Sequence, residues 1–288
     1  MNGPAEFDYR LPMRAAGVRP GSHRGASFGF GQEFAMHGRL FDYPDPRRLD
    51  LRASVRAARD EWLVRVHLQR VAVPAYALVD VSASMLFGAH RTKLQVAADF
   101  VEALGYSAFR AGDPVGLSGF DARDLDELFM PARYGRGIGA ALAGMLRDRS
   151  NGAVAERGGI EGLQRSAAKL AGRQALVFIV SDFHWPLAGV SAVLDLLAHA
   201  CVVPMVVWDA AEIEPPDGGP LLAVRDTESR ERRTLWLDRR ARERWRDAVA
   251  RRRDEIGRVF GKRGVRPFYV ERGFDPQALS RYFLEAVV

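Results

Sequence analysis

The chain has 288 residues, of which 48% are hydrophobic and 27% charged, and this composition excludes a disordered or fibrous protein. A single cysteine, Cys201, excludes an internal disulfide and any zinc site built from several cysteines. The formal net charge is +6, the longest apolar runs are only as long as a strand, and no secretion signal is apparent, so we expect a cytoplasmic protein without a membrane span.

Residues 1–71 are predicted to form an N-terminal extension. The first 35 residues are rich in glycine, proline and arginine, which predicts loop with little regular structure. From Trp62 to Gln69, apolar and polar residues alternate, and this period of two predicts one half-buried strand.

Residues 72–210 alternate between short apolar strands and helical segments. The strands are predicted at residues 76–81, 115–120, 175–180 and 201–208. Thr92 and Gln95 have the spacing of a capping box, so a helix is predicted to begin there. Strands that are apolar throughout and separated by helices indicate an α/β fold with a mostly parallel sheet that is covered on both faces.

Residues 211–288 are predicted to add a hairpin, a basic helix, a strand and a last helix to the same sheet. Positive charge is concentrated in residues 225–272, which hold 17 basic and 9 acidic residues. Because the acids are interleaved with the arginines at helical spacing, we interpret this segment as the solvated face of an amphipathic helix. A surface for an acidic protein is the second interpretation, and no nucleic-acid partner is expected.

Two of the predicted strands end in an aspartate, Asp80 and Asp182. Sites in such sheets form at the carboxyl ends of the strands. Ser82 and Ser84 follow Asp80 on the same loop, and carboxylate and hydroxyl oxygens are hard ligands of the kind that Mg²⁺ favours. From the pattern alone, caps of the turn and of the next helix explain these residues equally well.

Several segments resemble a known family. Residues 78–85, Leu-Val-Asp-Val-Ser-Ala-Ser-Met, resemble the first metal-ion-dependent adhesion site (MIDAS) loop of von Willebrand factor A domains, and residues 179–183 resemble the third. Residues 112–120 are similar to the central strand of that family. Residues 31–34, 43–56 and 224–229 are similar to segments of one bacterial subgroup, the MoxR-associated von Willebrand A-like proteins, a domain of unknown function encoded beside AAA+ ATPases.

The resemblance implies a Rossmann-like von Willebrand A domain at residues 72–210. It further implies a Mg²⁺ ion held by Asp80, Ser82, Ser84 and Asp182, to which an acidic residue of a partner binds. The implied function is that of a non-enzymatic adaptor that works with a MoxR-type AAA+ ATPase in the assembly or maturation of a client protein. An accessory role in methanol oxidation, in the maturation of a dehydrogenase, is a narrower alternative.

One departure from the family weakens the expected metal site. Ile138 stands where the second metal loop usually has a threonine, so one neutral ligand is lost and a metal-free scaffold remains an alternative. A metal-dependent hydrolase is disfavoured, since no general base is evident. His90 and His184 lie near the two loops and are interpreted as polar loop residues rather than as ligands.

Overall fold

The computed structural model describes residues 5–286, except positions 13, 18, 30, 32, 60, 123–124, 153–157, 217–220 and 226–231. Its strands are β1 (Pro20–Gly29), β2 (Glu33–Arg39), β3 (Leu63–Val71), β4 (Ala75–Asp80), β5 (Val115–Phe120), β6 (Phe129–Arg133), β7 (Leu176–Ser181), β8 (Cys201–Val207), β9 (Leu221–Arg225), β10 (Arg232–Trp236) and β11 (Phe268–Val270). Its helices are α1 (Leu51–Arg56), α2 (Lys93–Ala111), α3 (Ile138–Gly152), α4 (Ile160–Ala168), α5 (Val190–Leu196), α6 (Ala210–Ile213), α7 (Arg239–Gly261) and α8 (Pro276–Ala286).

Six strands form the central sheet, in the order β11-β8-β7-β4-β5-β6. Every neighbouring pair is parallel except β5 and β6, which are antiparallel at one edge. The predicted α/β fold with a mostly parallel sheet is therefore confirmed. Cys201 begins β8, and burial raises the pKa of its thiol to about 11, so it is protonated at neutral pH.

The central strands are buried because helices cover both faces of the sheet. Alternate residues of β4 face opposite sides, so that Val79 packs with α2, α3 and α8, whereas Leu78 packs with α4, α5 and α7. On the first side, Gly105 of α2 and Gly139 of α3 let the two helices approach closely, since a Cβ on Gly105 would lie 2.2 Å from the Cα of Gly139. This packing fixes the N-terminus of α2 beside the carboxyl ends of the strands.

The N-terminal extension differs from the prediction of loop. β1 and β2 flank β3 in a three-stranded antiparallel sheet. Glycine is required where these strands meet, because a Cβ on Gly25 would lie 2.3 Å from the carbonyl oxygen of Gln69 on β3. The glycines of this segment, which suggest turns in the sequence, instead allow close packing of backbones.

Residues ahead of β1 pack with the C-terminal helix. The ring of Phe7 lies against Phe178 of β7, and the ring of Tyr9 lies 6.0 Å from that of Phe283 in α8. The backbone N–H of Asp8 donates to Ser280 Oγ at 3.0 Å. Segments far apart in sequence therefore complete one core on this face of the sheet.

The basic segment forms the hairpin β9–β10 and the 23-residue helix α7. The helix is amphipathic, as predicted, and buries Ile256 and Phe260 against the second face of the sheet. Residues 226–229, which belong to one of the family-like segments, lie outside the described residues. Across the described chain, no helix combines the length and apolarity needed to cross a bilayer.

Candidate functional site

Asp80 is the last residue of β4 and is fully buried at the carboxyl edge of the sheet. Its Oδ1 accepts a hydrogen bond from the Ser82 backbone N–H at 3.0 Å, and its Oδ2 accepts from Ser181 Oγ at 2.7 Å and Trp185 Nε1 at 3.1 Å. These donors are all neutral. Burial, followed by the negative charge of Asp182, raises the pKa of Asp80 to about 6.

Asp182 follows β7, the strand beside β4, and it is also fully buried. Its Oδ2 accepts from Lys93 Nζ at 2.6 Å, and its Oδ1 accepts from the His184 backbone N–H at 3.1 Å. Burial is the largest influence and would raise the pKa of Asp182, but the positive charge of Lys93 and smaller contributions from His184 and Ser84 together outweigh it, and the pKa is lowered. Asp182 is therefore ionised at neutral pH.

Lys93 is the first residue of α2 and only 2% exposed. The predicted capping box of Thr92 and Gln95 is confirmed and begins the helix at this point. Lys93 Nζ lies 2.6 Å from both Asp182 Oδ2 and Glu212 Oε1. Burial would lower the pKa of Lys93, but these two carboxylates raise it, so the ammonium stays charged.

Glu212 lies in α6, the short helix that follows β8. Its Oε2 accepts from the Asp209 backbone N–H at 3.0 Å, and its Oε1 lies 3.6 Å from His184 Nε2. Asp182, His184 and Glu212 bring three potential ligand atoms within 4.8 Å of one another, so this cluster could hold a metal ion. The Lys93 ammonium already bonds to two of the three.

The structure brings together all four site residues that the sequence predicted. Ser82 Oγ and Ser84 Oγ are 3.2 Å apart, and the Ser84 hydroxyl lies close enough to Asp182 to help lower the pKa of that carboxyl. Ile138 begins α3 and packs against the apolar core, so it supplies no ligand. His90 is exposed on the loop before α2, whereas His184 lies beside Glu212.

The donor set is compatible with Mg²⁺. Asp80, Asp182, Ser82 and Ser84 offer carboxylate and hydroxyl oxygens within one small volume. The carboxylates of Asp80, Asp182 and Glu212 outnumber the single Lys93 ammonium, so the cluster keeps an excess of negative charge that a further cation would balance. Lys93 restricts that fit, because it occupies one oxygen of Asp182.

The sequence did not predict the contributions of Lys93, Glu212 and Trp185. A lysine at the first position of a helix is unfavourable for the helix dipole, and this is a signal in the sequence for a nearby carboxylate partner. Trp185 is 7% exposed and donates to Asp80, so its indole is part of the buried site. The sequence gives no such signal for Glu212, because its position is that of an ordinary capping residue of α6.

The loop after β7 is fixed from two directions. Trp208 Nε1 donates to the carbonyl oxygen of Asp182 at 2.8 Å. Arg252 of α7 donates to the carbonyl oxygens of Phe183 and Trp185. Phe183 has a φ of 52°, the left-handed region that a bulky residue adopts only when its surroundings impose it. The neighbouring Asp182 side chain is therefore held in place by helix α7 as well as by Lys93.

Comparison with known proteins places these features in a family. The family described as protein of unknown function DUF58 matches residues 44–255. No match was found among curated proteins.

Comparison with solved structures found matches to several bacterial proteins. An aerotolerance-related membrane protein from Bacteroides fragilis is 14% identical, with a TM-score of 0.42 and coverage of 75% of this chain and 98% of that one. The conserved hypothetical protein BatB from Bacteroides thetaiotaomicron is 15% identical, with a TM-score of 0.44 and the same coverage. The PilB minor pilin from Streptococcus sanguinis is 12% identical, with a TM-score of 0.34 and coverage of 80% and 65%.

Proposed function

The chain belongs to the DUF58 family, and from that premise we propose that it is a non-enzymatic adaptor that binds an acidic residue of a partner protein at the carboxyl edge of its sheet. The observation that carries the proposal is the meeting of Asp80, Ser82, Ser84 and Asp182 at that edge. In this proposal Asp80, Ser82 and Ser84 hold Mg²⁺, and Asp182 contacts it directly or through a water. The bound metal supplies an open coordination position for the partner's carboxylate.

The partner in this proposal is a MoxR-type AAA+ ATPase, with which the chain acts in the cytoplasm on a client protein during assembly or maturation. The support is the sequence resemblance of the two aspartate-containing loops to MIDAS loops. Asp80 and Asp182 are both held in place by protein donors, as fixed ligands of a metal would be.

A metal-free scaffold is the second candidate, and Lys93 is the observation that favours it. Its ammonium lies 2.6 Å from Asp182 and from Glu212, so the protein already supplies one cation where an adhesion-type site would rely on a metal. In that case Asp80 would be protonated or neutralised by its neighbours rather than by Mg²⁺.

The test is capture of the purified MoxR-type ATPase from the same organism, together with calorimetric titration of Mg²⁺ into the chain. We expect Mg²⁺ to bind and EDTA to abolish capture, and Ser84→Ala to weaken both by about tenfold or more. Ser166→Ala is the matched control, because Ser166 is a buried hydroxyl that bonds to Ser118 away from the site.

The outcomes separate the two candidates. Capture that ignores EDTA and Ser84→Ala supports the metal-free scaffold. Absence of capture under every condition would refute the assigned partner, and Mg²⁺ binding that Ser84→Ala leaves unchanged would refute the assigned ligands.

A further inference from the structure

A groove of about 550 Å³ opens beside the site, among α7, the end of the hairpin β9–β10 and the segments after β7 and β8. His184 and Glu212 line it, so the groove and the candidate site share residues. The apolar part of its lining includes Trp208, Trp236, Leu237, Trp245 and Val249. Three tryptophans from three different elements therefore converge on one concave surface.

Two of these tryptophans are fixed and the third is exposed. Trp208 Nε1 donates to the carbonyl oxygen of Asp182 at 2.8 Å, and Trp245 Nε1 donates to that of Glu212 at 2.7 Å. Trp236 on β10 is 62% exposed. A rigid aromatic pocket with one exposed indole at its margin is typical of a surface that takes up a large apolar side chain.

A second groove, of about 510 Å³, adjoins the first and is charged rather than apolar. The two share Ala248 and Arg252. Arg251 and Arg258 line the second groove and Arg244 lines the first, and their spacing of seven residues places all three on one face of α7.

These three arginines differ from others on the same helix. Arg239, Arg252 and Arg253 each pair with a carboxylate. Within the part of the chain that the structure describes, Arg244, Arg251 and Arg258 are exposed and have no carboxylate partner. Their positive charge is thus available to a ligand that continues from the tryptophan pocket.

We propose that this composite groove binds an acidic segment of a partner protein that carries one large apolar side chain. The apolar side chain enters among Trp208, Trp236 and Trp245, and neighbouring carboxylates bond to the arginines of α7. The inference rests on the proposed function in one respect, that the chain binds a partner protein. It does not depend on the metal site, because the groove needs no metal. The concave tryptophan pocket favours a protein segment with one large apolar side chain over a nucleic acid.

The test uses the full chain and a short fluorescein-labelled peptide with one leucine flanked by glutamates, and binding is measured by fluorescence anisotropy at low salt. We expect Trp236→Ala and Arg251→Glu each to weaken binding by about tenfold or more. Trp236 is exposed, so its loss should leave the fold intact. Arg246→Glu is the matched control, because Arg246 is exposed on the same helix but lines a different groove, and its effect should be less than about twofold.

Two further peptides test the two halves of the ligand. Replacing the glutamates by glutamines, or the leucine by serine, should each weaken binding by about tenfold. EDTA and Ser84→Ala should leave peptide binding unchanged, so that failure of the metal site and failure of the groove are distinguished.

Other results would overturn the inference. They are equal losses in the Arg251→Glu and Arg246→Glu variants, undiminished binding of the glutamine peptide, or no binding of any peptide. Tighter binding of an oligothymidine probe would assign the groove to nucleic acid. Sedimentation that shows a dimer broken by Trp236→Ala would assign it to a second copy of this chain.

Discussion

Buried aspartates lie at both ends of the parallel strands, but their surroundings differ. At the amino end, Asp113 is the only carboxylate in its cluster as described, and it accepts from Tyr9 Oη at 2.5 Å, lies 2.6 Å from His23 Nε2 and accepts from the Val73 backbone N–H at 2.8 Å. At the carboxyl edge, Asp182 and Glu212 share the Lys93 ammonium, and Asp80 has only neutral donors in the part of the chain described. Three groups surround the single carboxylate of Asp113. At the carboxyl edge, three carboxylates outnumber the one ammonium, so negative charge is in surplus.

The contrast shows that burial of a carboxylate is not by itself a sign of a binding site. Asp113 fastens the N-terminal segment to the sheet, and burial, followed by the charge of Asp113, raises the pKa of Tyr9 well above its ordinary value, so the phenol remains a donor. The uncompensated charge around Asp80 is what marks the opposite edge as a place for a cation or for a partner.

The largest effect is expected from Lys93→Met, which would test whether the lysine is the main compensating charge at the carboxyl edge. The substitution leaves Asp182 and Glu212 without their shared cation, and we expect a loss of about 3–5 kcal/mol in the free energy of unfolding at pH 7, measured by urea denaturation. Lys169→Met is the control, because the partner of Lys169, Asp126, is exposed, and its loss should be below about 1 kcal/mol. If the two variants lost the same free energy of unfolding, the buried ion pairs of Lys93 would contribute no more to stability than the surface pair of Lys169.

A smaller, pH-dependent effect is expected from Asp80. Its pKa is raised from 3.8 to about 6, so the folded protein holds this proton more tightly than the unfolded chain between those values. The stability that this provides is full below about pH 4 and is lost as the pH rises through about 6. In EDTA, wild type should lose on the order of 3 kcal/mol relative to Asp80→Asn between pH 4 and pH 7.

The readout for Asp80 is the difference between the two unfolding free energies at each pH, which cancels the contributions of all other groups. If the unfolding free energies of wild type and Asp80→Asn vary with pH in the same way, the pKa of Asp80 is not shifted by folding. Added Mg²⁺ should reduce the wild-type loss above pH 6 if the metal binds the ionised carboxylate.

The smallest effect is expected at the amino end. Tyr9→Phe removes one neutral donor from Asp113 and leaves His23 and Val73 in place, so the unfolding free energy should fall by about 1–2 kcal/mol. Tyr269→Phe removes a longer bond, 3.3 Å to the carbonyl oxygen of Arg253 near the surface, and should cost below about 0.5 kcal/mol. If Tyr9→Phe lowered the unfolding free energy as much as Lys93→Met, the hydrogen bonds at the amino end would contribute as much to stability as the ion pairs at the carboxyl edge.

Sequence patterns were sufficient for the parts of the molecule that local rules govern. The apolar strands β4, β5 and β7 and the capping box at Thr92 are recognisable from their own residues. The meeting of Asp80 with Asp182 follows from the rule that parallel strands end at the same edge. The pairing of Lys93 with Glu212 joins residues 119 positions apart, and nothing local to either one specifies it. The glycines of β1 predict loop rather than strand, because turns and close packing of backbones both select glycine.

The aromatic contacts of Phe7 and Tyr9 with Phe178 and Phe283 have a consequence for the order of folding during translation. One half of the core joins the segment ahead of β1 to helix α8, with residues 272 positions apart in hydrogen-bond contact. Each of these contacts requires closure of a very long loop, so we expect them to form late in folding. In a nascent polypeptide, Tyr9 therefore lacks its α8 partner Phe283 until that helix has been synthesised.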